Sequence, residues 1–445
     1  MIFIALSVFA VGLYVWGYKI PALLVMFFFL TTGFQLVPEE MMESVLTKST
    51  DYAFCILLGI ILVDAVCIKN YFRMDKYAWY IVGWGCFNII VVAYSKFNVG
   101  LSWGDIIRVC RFQFFWAAYF VFRNFDKADL EKLLLYLFNI TVVISCIYLL
   151  QVILNEFLLN GDVRTYAYIF GEKISRFYNQ PMMIHFFAFM ALYCNPYQGV
   201  KKYLTTIILV AALLGAFHRS VFGFTLMAVI VGYALRLKPV NQIRFFAVFG
   251  SFILAMLIFS GTAFLQSRTF SDLKNISEGN YIDADNIDVE ELAESTFTFR
   301  IAHLYERNQY LLEHPKRILL GAGLIHEESK QTDRMFDFQL GLIEDLTGRR
   351  GQIDTSDISY SSLLLRYGYL GTLFVLFLYG WLMVYCFKHR KSKYGFFSFL
   401  YFVFSFGCSL FCANLTTPIT WLLPIISYWI IEKESSEETV IVSPS

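Results

Sequence analysis

Residues 133–158 read LLLYLFNITVVISCIYLLQVILNEFL, and this stretch decides the class of fold. No charged side chain occurs between Leu133 and Leu154. A bilayer's hydrocarbon core is about 30 Å thick and takes roughly 20 apolar residues of helix to cross. The stretch therefore predicts a membrane-crossing helix. Similar stretches recur at 1–16, 20–37, 53–68, 78–95, 105–122, 181–196, 203–217, 220–235, 245–264, 359–387, 396–413 and 418–431. That gives thirteen expected spans, or twelve if the first two form one bent helix. Composition agrees: 58% of the 445 residues are hydrophobic and 16% charged, with a mean hydropathy of +0.58. Soluble domains carry about 25% charged residues.

The expected fold is all-α, a polytopic transmembrane bundle of about 12–13 helices. It divides into N-terminal helices over 1–264, a large polar loop over 265–358, three C-terminal helices over 359–431 and a tail over 432–445. Lys and Arg in the connections set the orientation. One alternating set of connections holds sixteen, from Lys19 to Lys393, and the opposite short connections hold six. The richer set is expected to be cytoplasmic, together with a disordered tail. The apolar N-terminus lacks a basic segment and a small-residue cleavage site, so it reads as a retained helix. The loop then lies on the extracytoplasmic side.

The loop holds 18 of the chain's 35 acidic residues and 10 of its 36 basic ones. Its first part, DLKNISEGNYIDADNIDVEELAES, is acidic. Next comes FTFRIAHLYERNQYLLEHP, read as an amphipathic helix with Ile301, Leu304 and Tyr305 on one face and Pro315 closing it. Arg300, His303 and Arg307 share the other face, expected to be solvated or to bind a ligand. A second short helix is expected near MFDFQLGLIEDL.

Charges within apolar stretches are costly, so each is a functional hypothesis. Asp64 lies near the inner end of its span, where it pairs with a lysine or reaches the interface. Arg108 and Arg111 lie one to two turns below the outer surface, within reach by snorkelling. Arg219, in GAFHRSVFG, opposes the positive-inside trend. Arg366 follows Ser359 and Ser362 along one helical stripe. Arg176 stands before Pro181 at another outer helix mouth. Arginine clusters suit bidentate phosphate binding. Glu306, Asp354 and Asp357 lie on the same side and are placed to take a proton from a sugar hydroxyl.

Net charge is +1, which gives no footing for nucleic acid. The nine cysteines all fall in apolar stretches, with no disulfide or metal spacing. No P-loop, HExxH or GxSxG occurs, and no metal or cofactor is expected.

Four segments resemble bacterial O-antigen polymerases and, more broadly, the O-antigen ligase and polymerase superfamily. They are RFYNQPMMIHFFAFMAL, GAFHRSVFGFTLMAVIVGY, FTFRIAHLYERNQYLLEHPKRILLGAGL and DTSDISYSSLLLRYGYLGTLFVLFL. The resemblance covers about 170–385. It implies a GT-C-type membrane glycosyltransferase at the outer face of the bacterial inner membrane. Its donor is a glycan on undecaprenyl pyrophosphate, moved by a polymerase onto the non-reducing end of a new lipid-linked repeat unit. A chain-length regulator is an expected partner. By position Arg176, Arg219 and Arg300 match the family's arginines. The resulting assignment gives Arg219, Arg300 and Asp357 catalytic roles. Arg176, Arg366, His303, Arg307 and Arg111 bind substrate.

Ligases of this superfamily, which pass the glycan to lipid A–core, carry a His just before the helix that closes the loop. Here that place reads Ser356-Asp357-Ile358-Ser359-Tyr360. This favours polymerase over ligase. Rivals are the ligase, a lipid-linked oligosaccharide flippase and a membrane scaffold.

Overall fold

The computed structural model describes residues 2–42, 48–161, 164–169, 172–216, 218–237, 296–341, 350–353 and 358–442. Among these the protein is helical apart from one two-stranded hairpin. The helices are α1 (Ile2–Val15), α2 (Lys19–Leu30), α3 (Glu39–Met42), α4 (Ser49–Cys67), α5 (Lys76–Tyr94), α6 (Trp103–Cys110), α7 (Ala118–Arg123) and α8 (Lys127–Leu154). After the hairpin strands β1 (Arg164–Ile169) and β2 (Glu172–Phe177) come α9 (Ile184–Cys194), α10 (Gly199–Leu214) and α11 (Arg219–Arg236). Then follow α12 (Thr296–Glu313), α13 (Thr332–Met335), α14 (Ser359–Lys388), α15 (Lys393–Cys408) and α16 (Ile419–Val442).

Among the described residues four helices are long and apolar enough to cross a membrane: α4, α5 with its continuation to Val99, α8 and α14. Helices α1, α2, α9 and α11 are apolar but shorter. Each expected span falls on a helix except 245–264, which lies outside the described residues, as does the acidic stretch 265–295. Helix α8 realises the stretch quoted at the outset. It ends where Asn155 turns left-handed at φ 58°, a conformation Asn tolerates better than most residues.

Several expectations are corrected. The 105–122 span is not one helix: α6 gives way to a 3-10 run, Arg111–Ala117, before α7. Its bulky aromatic residues pack either way, so hydropathy cannot see the change. The 20–37 span stops at Leu30, where Thr32, Phe34 and Gln35 take positive φ. The tail is helical to Val442, anchored by Lys127 against Glu434 and Glu437. Near MFDFQLGLIEDL only Thr332–Met335 is helical among the described residues. The hairpin was not expected. Arg164 pairs with Phe177 and Thr165 with Arg176 in antiparallel register.

Aromatic side chains tie the helices together. Trp116 stacks on Trp421 at 5.1 Å, joining the 3-10 run to α16. Tyr77 stacks on Trp381 at 4.2 Å, joining α5 to α14. Asp64 accepts hydrogen bonds from Tyr14 at 2.8 Å and Asn124 at 3.3 Å, so its direct partners are neutral donors and no lysine.

Helix α14 breaks at Gly368, whose φ of 65° and ψ of −170° leave the helical region. The loop segment Ile318–Leu324 fills that break. The Ala322 N–H donates to Leu365 O at 2.7 Å, and the Tyr369 N–H donates to Ile318 O at 2.9 Å. Gly321 and Gly368 meet backbone to backbone, and a Cβ on Gly368 would lie 2.5 Å from Leu319 O. Only glycine fits there, which explains the Gly-Ala-Gly and Tyr-Gly elements of the sequence. Further contacts hold the loop to the C-terminal end of α5 and the first turn of α6: Leu324 N–H to Ser95 Oγ at 2.9 Å, and Ser329 Oγ to Asp105 at 2.9 Å.

Candidate functional site

The residues singled out in the sequence fall into three places. The first is the start of α11. His218 precedes it in extended conformation, which leaves the first N–H groups of α11 without helical partners. Arg176, from β2, donates its Nε–H to Ala216 O at 3.1 Å and brings Nη2 to 3.2 Å from His218 Nδ1. The Tyr178 ring meets His218 edge-on at 4.9 Å. Of Arg219 only the backbone is described, as the first residue of α11. Arg300, on α12, places its guanidinium over the Phe411 ring at 5.1 Å. Phe411 in turn packs on Phe224 of α11 at 5.7 Å. Arg176 thus meets the start of α11, while Arg300 is linked to α11 further along, through Phe411 and Phe224. A helix N-terminus flanked by arginines is suited to an anion.

The second place is the other face of α12, expected to be solvated and found buried. His303 and Arg307 are both 0% exposed. His303 Nδ1 lies 2.7 Å from Ser361 Oγ on α14. Arg307 pairs with Glu306 at 2.5 Å, donates to Gln352 O at 3.0 Å and lies over Phe338 at 4.3 Å. Ile301, Leu304 and Tyr305, the expected core face, are only half-buried. The helix forms where the periodicity places it, but its polar face is the buried one. Burial and the Arg307 charge hold the His303 imidazole well below its ordinary pKa. Burial also brings Arg307 down to about 10, so it stays cationic at neutral pH. Glu306 is pushed up by burial, against Arg307 and the N–H groups of Gln339 and Leu340. These bonds make Glu306 an organiser of the loop and not a proton acceptor open to a substrate. His303 and Arg307 are fully buried.

The third place gathers Arg111 and Arg366. Both line a cavity of about 290 Å³ together with Lys48, Arg108, His326 and Ser362. Arg111 is 4% exposed and is bound to Asp51, which also accepts the Lys48 N–H at 2.8 Å. Arg111 therefore does not snorkel. Arg366 donates its Nε–H to Ile325 O at 3.0 Å, a bond made by the segment held at the Gly368 break. Arg108 stands beside Arg111 in the sequence, whereas no spacing links Lys48 and His326 to these arginines, so no local signal points to those two. Asp354 and Asp357 lie outside the described residues. Among the described residues no cluster of His, Cys, Asp and Glu suits a metal.

A scan against protein-family models finds none that matches the chain, and a search of curated proteins finds no match.

Proposed function

We propose that the protein is an O-antigen-type polysaccharide polymerase of the bacterial inner membrane. In this reading about a dozen helices cross the bilayer, the loop around α12 faces outward, and the C-terminus is cytoplasmic. A growing glycan passes from undecaprenyl pyrophosphate to the non-reducing end of a lipid-linked repeat unit. A hydroxyl of the acceptor attacks the donor's anomeric carbon and gives its proton to a carboxylate, for which Asp357 is the candidate. The bond to the pyrophosphate oxygen breaks, and the pyrophosphate leaves with that electron pair. Cations and N–H dipoles fixed around the leaving group stabilise the charge it gathers.

The observation that supports the reading is that Arg176 contacts the start of α11 and that Arg300 is linked to the same helix through Phe411 and Phe224; the three come from segments that carry the resemblance, and a helix N-terminus beside an arginine suits an anion. The deep seating of the loop in α14 also speaks against a flippase, which needs no structured outer loop.

The ligase reading gains one observation. No histidine stands directly before α14 in sequence, yet His303 Nδ1 lies 2.7 Å from Ser361 Oγ in its first turn, and His326 and Ser362 line one cavity. The surface polysaccharide ladder separates the two. Loss of a polymerase leaves single repeat units attached, whereas loss of a ligase leaves none. We expect Arg219→Ala and Arg300→Ala to collapse the ladder to single units at normal expression. Full-length chains from both variants would refute the assignment.

A further inference from the structure

The chain between Arg176 and α9 is fixed by side-chain amides. Gln35 is 6% exposed, and every hydrogen-bonding group of its amide is used. Its Nε2 group donates to Asn179 O at 3.2 Å and to Gln180 O at 3.0 Å, and its Oε1 accepts the Met182 N–H at 2.8 Å. Gln35 reaches that segment from the turn after α2, in which Thr32, Phe34 and Gln35 hold φ of 49°, 55° and 60°. Residues with side chains rarely adopt that conformation, and such strain persists only where surrounding contacts over-determine it. The bonds of the Gln35 side chain supply such contacts, together with the Asn160 N–H on Gln35 O at 2.9 Å.

Gln180 carries the connection on to the next turn. Its Nε2 group donates to Ala212 O and Leu213 O, both at 2.9 Å. These belong to the last four carbonyls of α10, the ones a helix cannot serve from within. Arg176 bonds to the chain just beyond, at Ala216 O, and touches His218. Gln180 and Arg176 therefore tie the same two segments together at two points. Satisfying a buried backbone group requires only some donor or acceptor. What singles out these two amides is their place. Gln35 fixes the backbone that follows Arg176, and Gln180 fixes the helix end that leads to the arginine's partners.

We propose that Gln35 and Gln180 are positioning residues, which hold the Arg176 guanidinium against Ala216 O and the start of α11. That placement does not depend on the transferase reading; its bearing on turnover rests on it.

The first measurement reads placement alone. Full-length protein in detergent carries nitrogen-labelled arginine, and NMR follows hydrogen exchange at the Arg176 Nε–H, assigned by its loss in Arg176→Lys. Gln35→Met and Gln180→Met keep the length of the side chain and remove the amide. Each should speed that exchange by about tenfold, roughly what one hydrogen bond from a charged donor contributes. The Arg307 Nε–H, buried on α12, is the internal control and should not change. Gln180 is only half-buried, so Gln180→Met decides the matter if Gln35→Met fails to fold. Exchange unchanged in every variant that folds overturns the proposal.

The second measurement is a double-mutant cycle on chain extension with a defined lipid-linked repeat. Gln180→Met should lower kcat by about tenfold while KM for the acceptor stays within about twofold. In an Arg176→Lys background the same change should lower kcat by less than about twofold. A loss that recurs in full in that background shows a general structural role and overturns the positioning. Faster exchange with undiminished turnover leaves the clamp standing and removes Arg176 from the transferase reading, so the two ideas fail separately.

Discussion

Replacing Gly368 with alanine should undock the loop from α14. Gly368 sits at φ 65° and ψ −170°, in a region that L-residues hardly enter. Forcing alanine there costs about 1–3 kcal/mol. The new Cβ would lie 2.5 Å from Leu319 O, 2.6 Å from Gly321 N and 2.6 Å from Ile318 O, all of them backbone atoms. Backbone cannot swing aside as a side chain does, so the segments must part. The bonds from Ala322 to Leu365 and from Tyr369 to Ile318 then go. Each contributes about 0.5–1.5 kcal/mol. Those bonds are lost in the undocked form of either protein, so the shift is set by the penalty on the docked form, about 2 kcal/mol, which raises the undocked population by roughly thirtyfold. Hydrogen exchange followed by mass spectrometry reads this at the amides of Ala322 and Tyr369. Their protection should collapse in Gly368→Ala. Gly380, in the same helix, has nothing within 4 Å of an added Cβ, so Gly380→Ala is the matched control and should change little. If protection at both amides falls by less than about threefold, the steric reasoning is wrong.

Two further outcomes follow from buried charge. His303 is held neutral in the folded state, so below its unfolded pKa of about 6.5 the unfolded chain binds the extra proton. Stability should therefore fall as pH drops through about 6.5, at up to about 1.4 kcal/mol per pH unit. Glu306, raised by burial, acts in the opposite sense at lower pH, so the His303 contribution is the difference between wild type and His303→Gln in a pH series of thermal midpoints. A parallel pair of curves would refute it. Asp51→Asn leaves the Arg111 guanidinium buried without its counter-charge and should cost about 2–3 kcal/mol by denaturant unfolding. Arg111→Met in the same background should recover much of that loss. A cost under about 0.5 kcal/mol would mean the pair contributes as little as a surface one.

The helices were legible because hydropathy is a local property. The uncharged run from Leu133 to Leu154 needs no partner to declare itself, and α8 covers it. The hairpin has a sequence signal too. Tyr166, Tyr168, Ile174 and Phe177 on either side of a glycine carry a strand signal. What a single chain cannot reveal is which face of a helix meets a partner, and what that partner offers. Helix α12 shows it: periodicity separated Arg300, His303 and Arg307 from Ile301 and Leu304. Only the fold shows Ser361, Gln352 and Phe338 waiting for the polar side. The basic cavity is the extreme case. Lys48 precedes α4, Arg108 and Arg111 follow α5, and Arg366 lies in α14. Each alone reads as an ordinary interfacial charge.

The break at Gly368 also changes how α14 matches the thickness of a bilayer. Taken whole, its 30 residues make a rod of about 45 Å, longer than the hydrocarbon it is read as crossing. From Tyr369 to Lys388 the rod measures about 30 Å, with no mismatch to absorb by tilting. On the proposed topology the outer turns, Ser359–Tyr367, then belong with the loop that grips them. Arg366 becomes a charge at the water boundary and not one sunk in lipid, and its placement beside the cavity carries no cost of crossing into hydrocarbon.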